Sequence, residues 1–145
     1  MHTTFYASGF LYDSSSQKIL LQQLNSTSDG KPFLFGSKAH KGNDPQTVFK
    51  LCVEKALART IKASSIHPVY DYMHDTLGEQ FIFFVEISGI SPATYPSNEK
   101  TGWFALSKLS KMNMSEDTRH DILIGERVIR SRDHNTPVPV AGLTS

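Results

Sequence analysis

The segment Gln80–Ile87 (QFIFFVEI) constrains the fold more than any other part of the sequence. The stretch Phe81–Val85 within it is entirely apolar. A near-continuous apolar run without alternation is typical of a strand that is buried on both faces of a sheet, and this run is far too short to cross a bilayer. A strand covered on both faces needs other elements above and below it, so the chain is predicted to form layers in which helices pack against a sheet.

Two helices are predicted from capping residues and spacing. Asp44 is a good N-cap and Pro45 suits the first helical position, and apolar residues recur at helical spacing as far as Ile61. A second helix is predicted from its cap, Ser115, to Ile129. The predicted strands are Thr4–Leu11, Lys18–Leu24, Pro32–Phe35, His67–Tyr72, Gln80–Ile87 and Trp103–Leu106, and the predicted loops include Asn25–Lys31, Lys38–Lys41 and Ser88–Thr101. The order β-β-β-α-β-β-β-α fits an α/β or α+β sandwich with helices on a mixed sheet.

The composition is that of an ordinary globular domain. The length of 145 residues favours one domain. The formal net charge of +1 gives no electrostatic reason to expect binding to nucleic acid or to an acidic membrane. The single cysteine, Cys52, excludes an internal disulfide and favours a reducing compartment, and we expect it to be an inert core thiol. No signal peptide is predicted at the N-terminus, so we expect a soluble protein of the cytoplasm.

Segments along nearly the whole chain resemble one known family. They are ASGFLYD with KILLQQL in the opening hairpin, Leu34–Lys38 (LFGSK), Gly42, Asp44-Pro45 at the first helix, and Trp103–Leu106 followed by Leu109. In this order they resemble the Nudix superfamily of MutT-like pyrophosphohydrolases, in which LFGSK corresponds to an L-P-G-G-K entry. The resemblance implies a Nudix-like α/β/α sandwich, with a mixed β-sheet between helices, over residues 1–130 and a C-terminal tail over residues 131–145.

The family's motif, G-x5-E-x7-R-E-U-x-E-E-x-G-U with U aliphatic, is degenerate in this chain. In the family its glutamates bind a divalent metal, commonly magnesium, which polarises a diphosphate and helps to generate the attacking hydroxide. Laid on this chain without gaps, its defined positions fall on Ser37, Asn43, Leu51, Cys52, Val53, Lys55, Ala56, Ala58 and Arg59. No acidic position is kept, and magnesium prefers oxygen ligands. A one-residue shift of register recovers a single carboxylate, Glu54, but loses the match at Gly42.

The basic segment Lys38–Lys41 (KAHK) is a candidate site for an anion. A basic loop near a helix N-terminus can bind a diphosphate without metal. Lys38, His40 and Lys55 are therefore candidate ligand-binding residues that would replace the cation. The alternative interpretation is an exposed polar loop without a ligand.

Three aromatic residues, Tyr6, Phe35 and Phe81, are candidates to line a pocket for a base or another flat ligand. Aromatic residues on strands are also ordinary core residues, and this alternative stays open.

Two carboxylates are weak catalytic candidates. Glu54 would be a remaining metal ligand, or else a solvated residue near Lys50 on the helix surface. Glu79, which follows His74 and Asp75 before the central strand, would act as a base or ligand from outside the helix, or else belong to an ordinary polar turn. His120 and Asp121 are too isolated in the sequence to interpret.

Two functions follow from the resemblance. The first is a binding or interaction module, derived from a pyrophosphohydrolase, that binds a nucleotide, another metabolite or a protein partner without standard hydrolysis and needs no cofactor. The second is a divergent hydrolase of a nucleoside diphosphate derivative, with magnesium or manganese and non-standard residues. An apolar face in place of the metal site would also suit assembly into a larger complex, and a homodimer is possible because Nudix proteins are often dimers.

Overall fold

The computed structural model of the chain describes residues 3–23, 31–87 and 100–134. The strands are β1 (Thr4–Asp13), β2 (Lys18–Gln22), β3 (Phe35–His40), β4 (Ile66–His74), β5 (Gly78–Ile87) and β6 (Thr101–Ala105), and the helices are α1 (Pro45–Leu57) and α2 (Glu116–His134). Two 3-10 turns, Ala63–Ser65 and Leu106–Lys111, precede β4 and follow β6. The predicted order of elements is confirmed.

The strands form one mixed sheet around β1 and β5. The sheet has the order β4-β5-β1-β2-β6, and β3 pairs with the N-terminal half of β1. β1 and β5 are parallel, whereas the other pairs are antiparallel. Because β5 lies between β4 and β1, the prediction that Gln80–Ile87 is a central strand is confirmed.

The two helices cover opposite faces of this sheet, which confirms the α/β/α sandwich. On one face, Phe49 and Val53 of α1 belong to a buried cluster with Phe83 of β5. On the other face, Ile122 of α2 belongs to a second cluster with Phe84. Successive side chains of a strand point to opposite faces, so neighbouring phenylalanines of β5 contribute to different cores.

Helix α1 begins where the sequence predicts and ends earlier. The Asp44 carboxylate accepts hydrogen bonds from the Thr47 N–H (3.0 Å) and from the Thr47 hydroxyl (2.8 Å). The helix ends at Leu57 because Ala58 adopts the left-handed conformation, with φ 54° and ψ 43°. Ile61 is still buried, but it lies beyond the helix. The apolar spacing as far as Ile61 therefore reflects burial and not helical structure over its last turn.

Strand β3 corrects two local predictions. The extended segment predicted at Pro32–Phe35 is shifted, and the loop predicted at Lys38–Lys41 is mostly strand, since β3 runs over Phe35–His40 and pairs with Thr4–Gly9. Its sequence, FGSKAH, has little β propensity of its own. It is a strand because β1 supplies the backbone hydrogen bonds, and tertiary pairing of this kind overrides local propensity.

Helix α2 extends further towards the C-terminus than predicted. α2 continues past Ile129 to His134, so the first four residues of the predicted tail, 131–134, are helical. Residues 135–145, together with most of the predicted loops Asn25–Lys31 and Ser88–Thr101, lie outside the described residues. None of the helices in the described ranges has the length and apolar character needed to cross a bilayer.

Candidate functional site

A cleft of about 350 Å³ lies between β3 and α1, at the place where the motif positions fall. We call it the basic cleft. It is lined by Ser37, Lys38, Ala39, Asn43, Val48, Leu51, Cys52 and Lys55. Five of these residues (Ser37, Asn43, Leu51, Cys52 and Lys55) occupy defined positions of the motif. Leu51 is 57% exposed, which is high for a leucine, so the apolar part of the cleft faces solvent.

The polar groups of the basic cleft are neutral or cationic. The Asn43 amide donates to the His40 carbonyl at 3.0 Å. Burial raises the pKa of the Cys52 thiol, although the Gly36 backbone and the Lys55 charge act in the opposite direction. The thiol is therefore protonated at neutral pH and is a poor nucleophile. Cys52 is half-buried and borders the cleft, in addition to packing against the core.

This donor set does not fit magnesium. None of the residues that line the basic cleft in the described ranges is acidic, and the ion prefers several oxygen ligands, usually including carboxylates. Lys55 adds a positive charge at a motif position that is acidic in the family. Across the described ranges, no group of three or more His, Cys, Asp or Glu side chains could hold a metal ion.

The three predicted anion ligands are only partly brought together. Lys38 and Lys55 line the same cleft, whereas His40 is exposed at the end of β3 and is not among its lining residues. The N-terminus of α1 is also less available than predicted. The Asp44 carboxylate already accepts the Thr47 N–H, so a negative group occupies this helix end. The two lysines, and not the helix dipole, are the cationic feature of the site.

A second cleft, of about 290 Å³, adjoins the first. We call it the aromatic cleft. Its lining residues are Phe5, Lys41, Gly42, Asn43, Pro45, Glu79 and Phe81. Asn43 lines both clefts, so the two meet at one side chain. The Phe5 and Phe81 rings meet edge to face with centroids 5.5 Å apart, and Lys41 Nζ lies 3.7 Å from Glu79 Oε1.

The three predicted aromatic residues do not share a pocket. Phe35 is fully buried in the α1-side core and lines neither cleft. Tyr6 lies on the opposite face of β1 from Phe5 and Ala7, which belong to the α1-side core. Only Phe81, which is half-buried, borders a cleft.

The two candidate carboxylates lie in different surroundings. Glu54 accepts hydrogen bonds from the Ile61 N–H (2.8 Å) and from Lys50 Nζ (3.0 Å), and these bonds lower the pKa of its carboxyl. It fastens the chain beyond α1 to the helix and lines neither cleft. Glu79 lies in the aromatic cleft. The structure therefore does not bring Glu54 and Glu79 together at one site.

A polar cluster between β4 and α2 was missed in the sequence. The Tyr70 hydroxyl donates to Asp121 Oδ1 at 2.7 Å and lies 2.9 Å from His120 Nδ1. Asp121 is buried, and burial raises the pKa of its carboxyl. Burial and the nearby Asp121 charge raise the pKa of Tyr72 to about 12. The available signal was the alternation of Tyr70, Tyr72 and His74 along one face of a predicted strand.

Comparison with known proteins identifies the fold. No family model matches the sequence, and no curated protein sequence matches it. Among solved structures, a MutT/Nudix family protein from Listeria innocua is similar, with a TM-score of 0.70 at 11% identity over 94% of this chain and 99% of that one. The C-terminal domain of mouse MUTYH, solved with human PCNA, has a TM-score of 0.67 at 11% identity over 99% and 95% of the two chains.

A third similar structure contains a ligand. The NUDIX domain of Shewanella oneidensis NrtR, solved with ADP ribose, has a TM-score of 0.63 at 12% identity over 89% of this chain and 90% of that one. Identities this low establish the architecture and not the chemistry. The chain therefore has the Nudix (MutT-like) fold.

Proposed function

We propose that this protein is a binding module that holds a phosphate-bearing anion in the basic cleft without a divalent metal. The observation that carries the proposal is the lining of that cleft, in which Lys38 and Lys55 accompany neutral polar groups and no acidic residue is found among the described lining residues. Lysine binds phosphate as a point charge. Two lysines thus supply at the cleft the positive charge that a metal supplies in the family's enzymes.

Size and polarity support a small ligand. A volume of about 350 Å³ is within the range of small-molecule sites. Val48 and the exposed Leu51 offer an apolar surface beside the charged groups, a mixture that suits a molecule with both an anionic and a less polar part. The ADP ribose bound by the NUDIX domain of NrtR is a ligand of this kind in a protein of the same fold.

The test is a calorimetric titration with pyrophosphate, in EDTA and in magnesium. We expect saturable binding in EDTA. Lys55→Met keeps the length of the side chain and removes its charge, so Kd should rise about tenfold, because a hydrogen bond to a charged group contributes about 1.5–3 kcal/mol. Lys62→Met, at an exposed lysine that does not line the cleft, is the matched control and should bind as the unaltered protein does.

Two results would overturn the proposal. One is the absence of pyrophosphate binding in EDTA, or binding that Lys55→Met leaves unchanged. The other is binding that requires magnesium and is followed by hydrolysis of a nucleoside diphosphate derivative, which would establish the divergent hydrolase instead. Glu79 would then be the first residue to replace, since the Glu54 carboxylate is engaged by Lys50 and Ile61.

A further inference from the structure

We propose that the outer edge of β4 is a docking surface for an added strand, and that its occupant is the chain's own segment 136–143 (TPVPVAGL). β4 lies at the end of the sheet order and pairs with β5 on one side. On the other side, no backbone partner of Tyr70–His74 is found within the described ranges. A row of unpaired N–H and C=O groups is a template for another strand.

The first part of this edge is protected against pairing, but the second part is not. Pro68 has no N–H to donate, and an irregular register separates it from Tyr70. Tyr70–His74 pair regularly with β5 and include neither a proline nor a lysine, the residues that commonly protect a free edge. Met73 is 57% exposed, and Leu77, just beyond β4, is 48% exposed. A strand added here therefore gains apolar contacts as well as hydrogen bonds.

Helix α2 brings the chain to the start of this edge. At the end of β4, His74 Nε2 lies 3.6 Å from Oδ2 of Asp117, which is in the first turn of α2. Near the beginning of β4, His67 Nε2 lies 3.5 Å from Nη2 of Arg132, which is in the last turn of the helix. α2 therefore runs antiparallel to β4, and the chain that follows His134 starts beside the first residues of β4.

The chain that follows α2 is long enough to occupy the edge. The distance along β4 from His67 to His74 is about 23 Å, since a strand rises about 3.3 Å per residue. Residues 135–145 span about 36 Å when they are fully extended. The chain can therefore turn back after the helix and run parallel to β4 along the whole of Tyr70–His74.

The segment has the proline pattern of an edge strand. Along a strand, the N–H and C=O groups of successive residues point to opposite edges. Val138 and Val140 therefore share one edge, whereas Pro137 and Pro139 share the other. Proline is accepted in an edge strand where its nitrogen faces away from the sheet. The valine edge thus pairs with β4, and the proline edge faces outwards, where it offers no N–H to a further strand.

This surface is separate from the proposed anion site. No residue of β4 is found among the described residues that line the basic cleft or the aromatic cleft. The role of the segment is to cover the free edge and so to prevent edge-to-edge association with other chains. The inference therefore does not depend on whether the basic cleft binds an anion.

The experiment is amide hydrogen exchange, followed by NMR on the full chain at a low and a high protein concentration. We expect slow exchange at those amides of Tyr70–His74 that point away from β5, at the same rate at both concentrations. Val140→Pro removes a donor from the edge that pairs with β4 and should accelerate the exchange of these amides about tenfold. Ala141→Pro is the matched control, because it places the same ring on the outward edge, and it should leave their exchange unchanged.

Three results would overturn the proposal. Fast exchange of the outward amides of β4 in the unaltered chain would mean that the edge is open. Protection that increases with protein concentration would mean that a second copy of the chain occupies the edge. Equal effects of Val140→Pro and Ala141→Pro, including no effect of either, would mean that the segment does not pair with β4 as a strand. The amides of β5 are the internal reference, since they stay protected in every sample whose fold is intact.

Discussion

Each helix packs against the sheet through a close contact between a glycine and a phenylalanine, but the glycine is on the strand in one contact and on the helix in the other. On the α1 side the glycine is on the strand: a Cβ on Gly9 would lie 2.0 Å from the Phe83 carbonyl oxygen and 2.9 Å from the Phe49 ring. On the α2 side the glycine is on the helix, and a Cβ on Gly125 would lie 2.7 Å from the Phe10 ring. The first collision involves backbone and the second a side chain. The α1 contact is therefore the less tolerant of the two.

The contacts differ in polarity as well. The buried residues of α1 are Phe49 and Val53, so that contact is apolar. The contact of α2 includes the hydrogen-bonded group of Tyr70, His120 and Asp121. Polar groups at the α1 face lie at its rim, in the two clefts. The α1 contact is therefore apolar with polar groups at its rim, whereas the α2 contact contains a titratable carboxyl, Asp121, whose pKa is raised by burial.

The largest expected effect tests the glycine on β1. Gly9→Ala should lower the free energy of unfolding by more than ~3 kcal/mol, the upper end of the usual overpacking range, because the new methyl group collides with backbone that cannot move aside. Gly125→Ala should cost less, about 1–3 kcal/mol, since the Phe10 ring can shift. Urea denaturation of both variants measures the difference. Equal losses would mean that the two contacts tolerate added volume alike.

The next effect tests the polar contact of α2. Tyr70→Phe removes the hydroxyl that donates to Asp121 and should lower the free energy of unfolding by about 1–3 kcal/mol, because a buried carboxylate loses a partner. Tyr6→Phe is the matched control, since no contact between Tyr6 and a buried carboxylate is found in the described ranges. If both substitutions have the same small effect, the α2 contact is held by apolar packing alone.

The third effect concerns pH. Burial raises the pKa of Asp121, against the opposing effects of Tyr70, His120 and Tyr72, while Asp117 acts in the same direction as burial. The folded protein therefore binds this proton more tightly than the unfolded chain. The stability contributed by the protonated carboxyl is fully present below the unfolded pKa, about 3.9, and is lost as the pH rises through the folded pKa.

The measurement is denaturation at several pH values from about 4 upwards. The stability of the unaltered protein relative to Asp121→Asn should decline as the pH rises, because the amide does not titrate. Ile122→Val, a neighbouring buried substitution without a titratable group, should keep a constant difference from the unaltered protein. If the free energy of unfolding of Asp121→Asn also differs from that of the unaltered protein by the same amount at every pH, then the Asp121 carboxyl does not make the stability of the α2 contact depend on pH.

The smallest effect lies at the end of α1. Ala58 has φ 54°, in the left-handed region that favours glycine. Ala58→Gly should raise the free energy of unfolding by about 1 kcal/mol. Ala56→Gly, two residues earlier and within the helix, should lower it by about the same amount. Thermal unfolding measures both variants. If Ala58 is strained, Ala58→Gly raises Tm and Ala56→Gly lowers it, whereas if Ala58 is not strained, both substitutions lower Tm.

The sequence was sufficient to predict the architecture because the signals that define the helices and the central strand are local. Capping by Asp44 and Pro45 and the apolar run of β5 involve neighbouring residues, and both are confirmed. Strand β3 was not predicted correctly, since its backbone pairing with β1 joins residues that are distant in the sequence. Phe35 was assigned to a pocket because an aromatic residue on a strand looks the same in the sequence whether it faces a core or a ligand.

The candidate site was predictable only where local sequence information was enough. The motif positions located the basic cleft, but the separation of Tyr6 from Phe81 depends on which face of the sheet each residue occupies. The cluster of Tyr70 with Asp121 depends on an irregular register between Pro68 and Tyr70 in β4 and on the packing of α2. Residues that meet only because two elements pack together, such as Tyr70 and Asp121, show no regular spacing in the sequence that would predict their contact.

The parallel pairing of β1 with β5 has a consequence for the time course of folding. Phe5 and Phe81 meet across this pair, although they lie roughly 75 residues apart in the chain. Closing so long a loop is entropically unfavourable and slow compared with local pairing. The residues of the basic cleft, by contrast, lie within Ser37–Lys55. Refolding is therefore expected to assemble the basic cleft before the aromatic cleft.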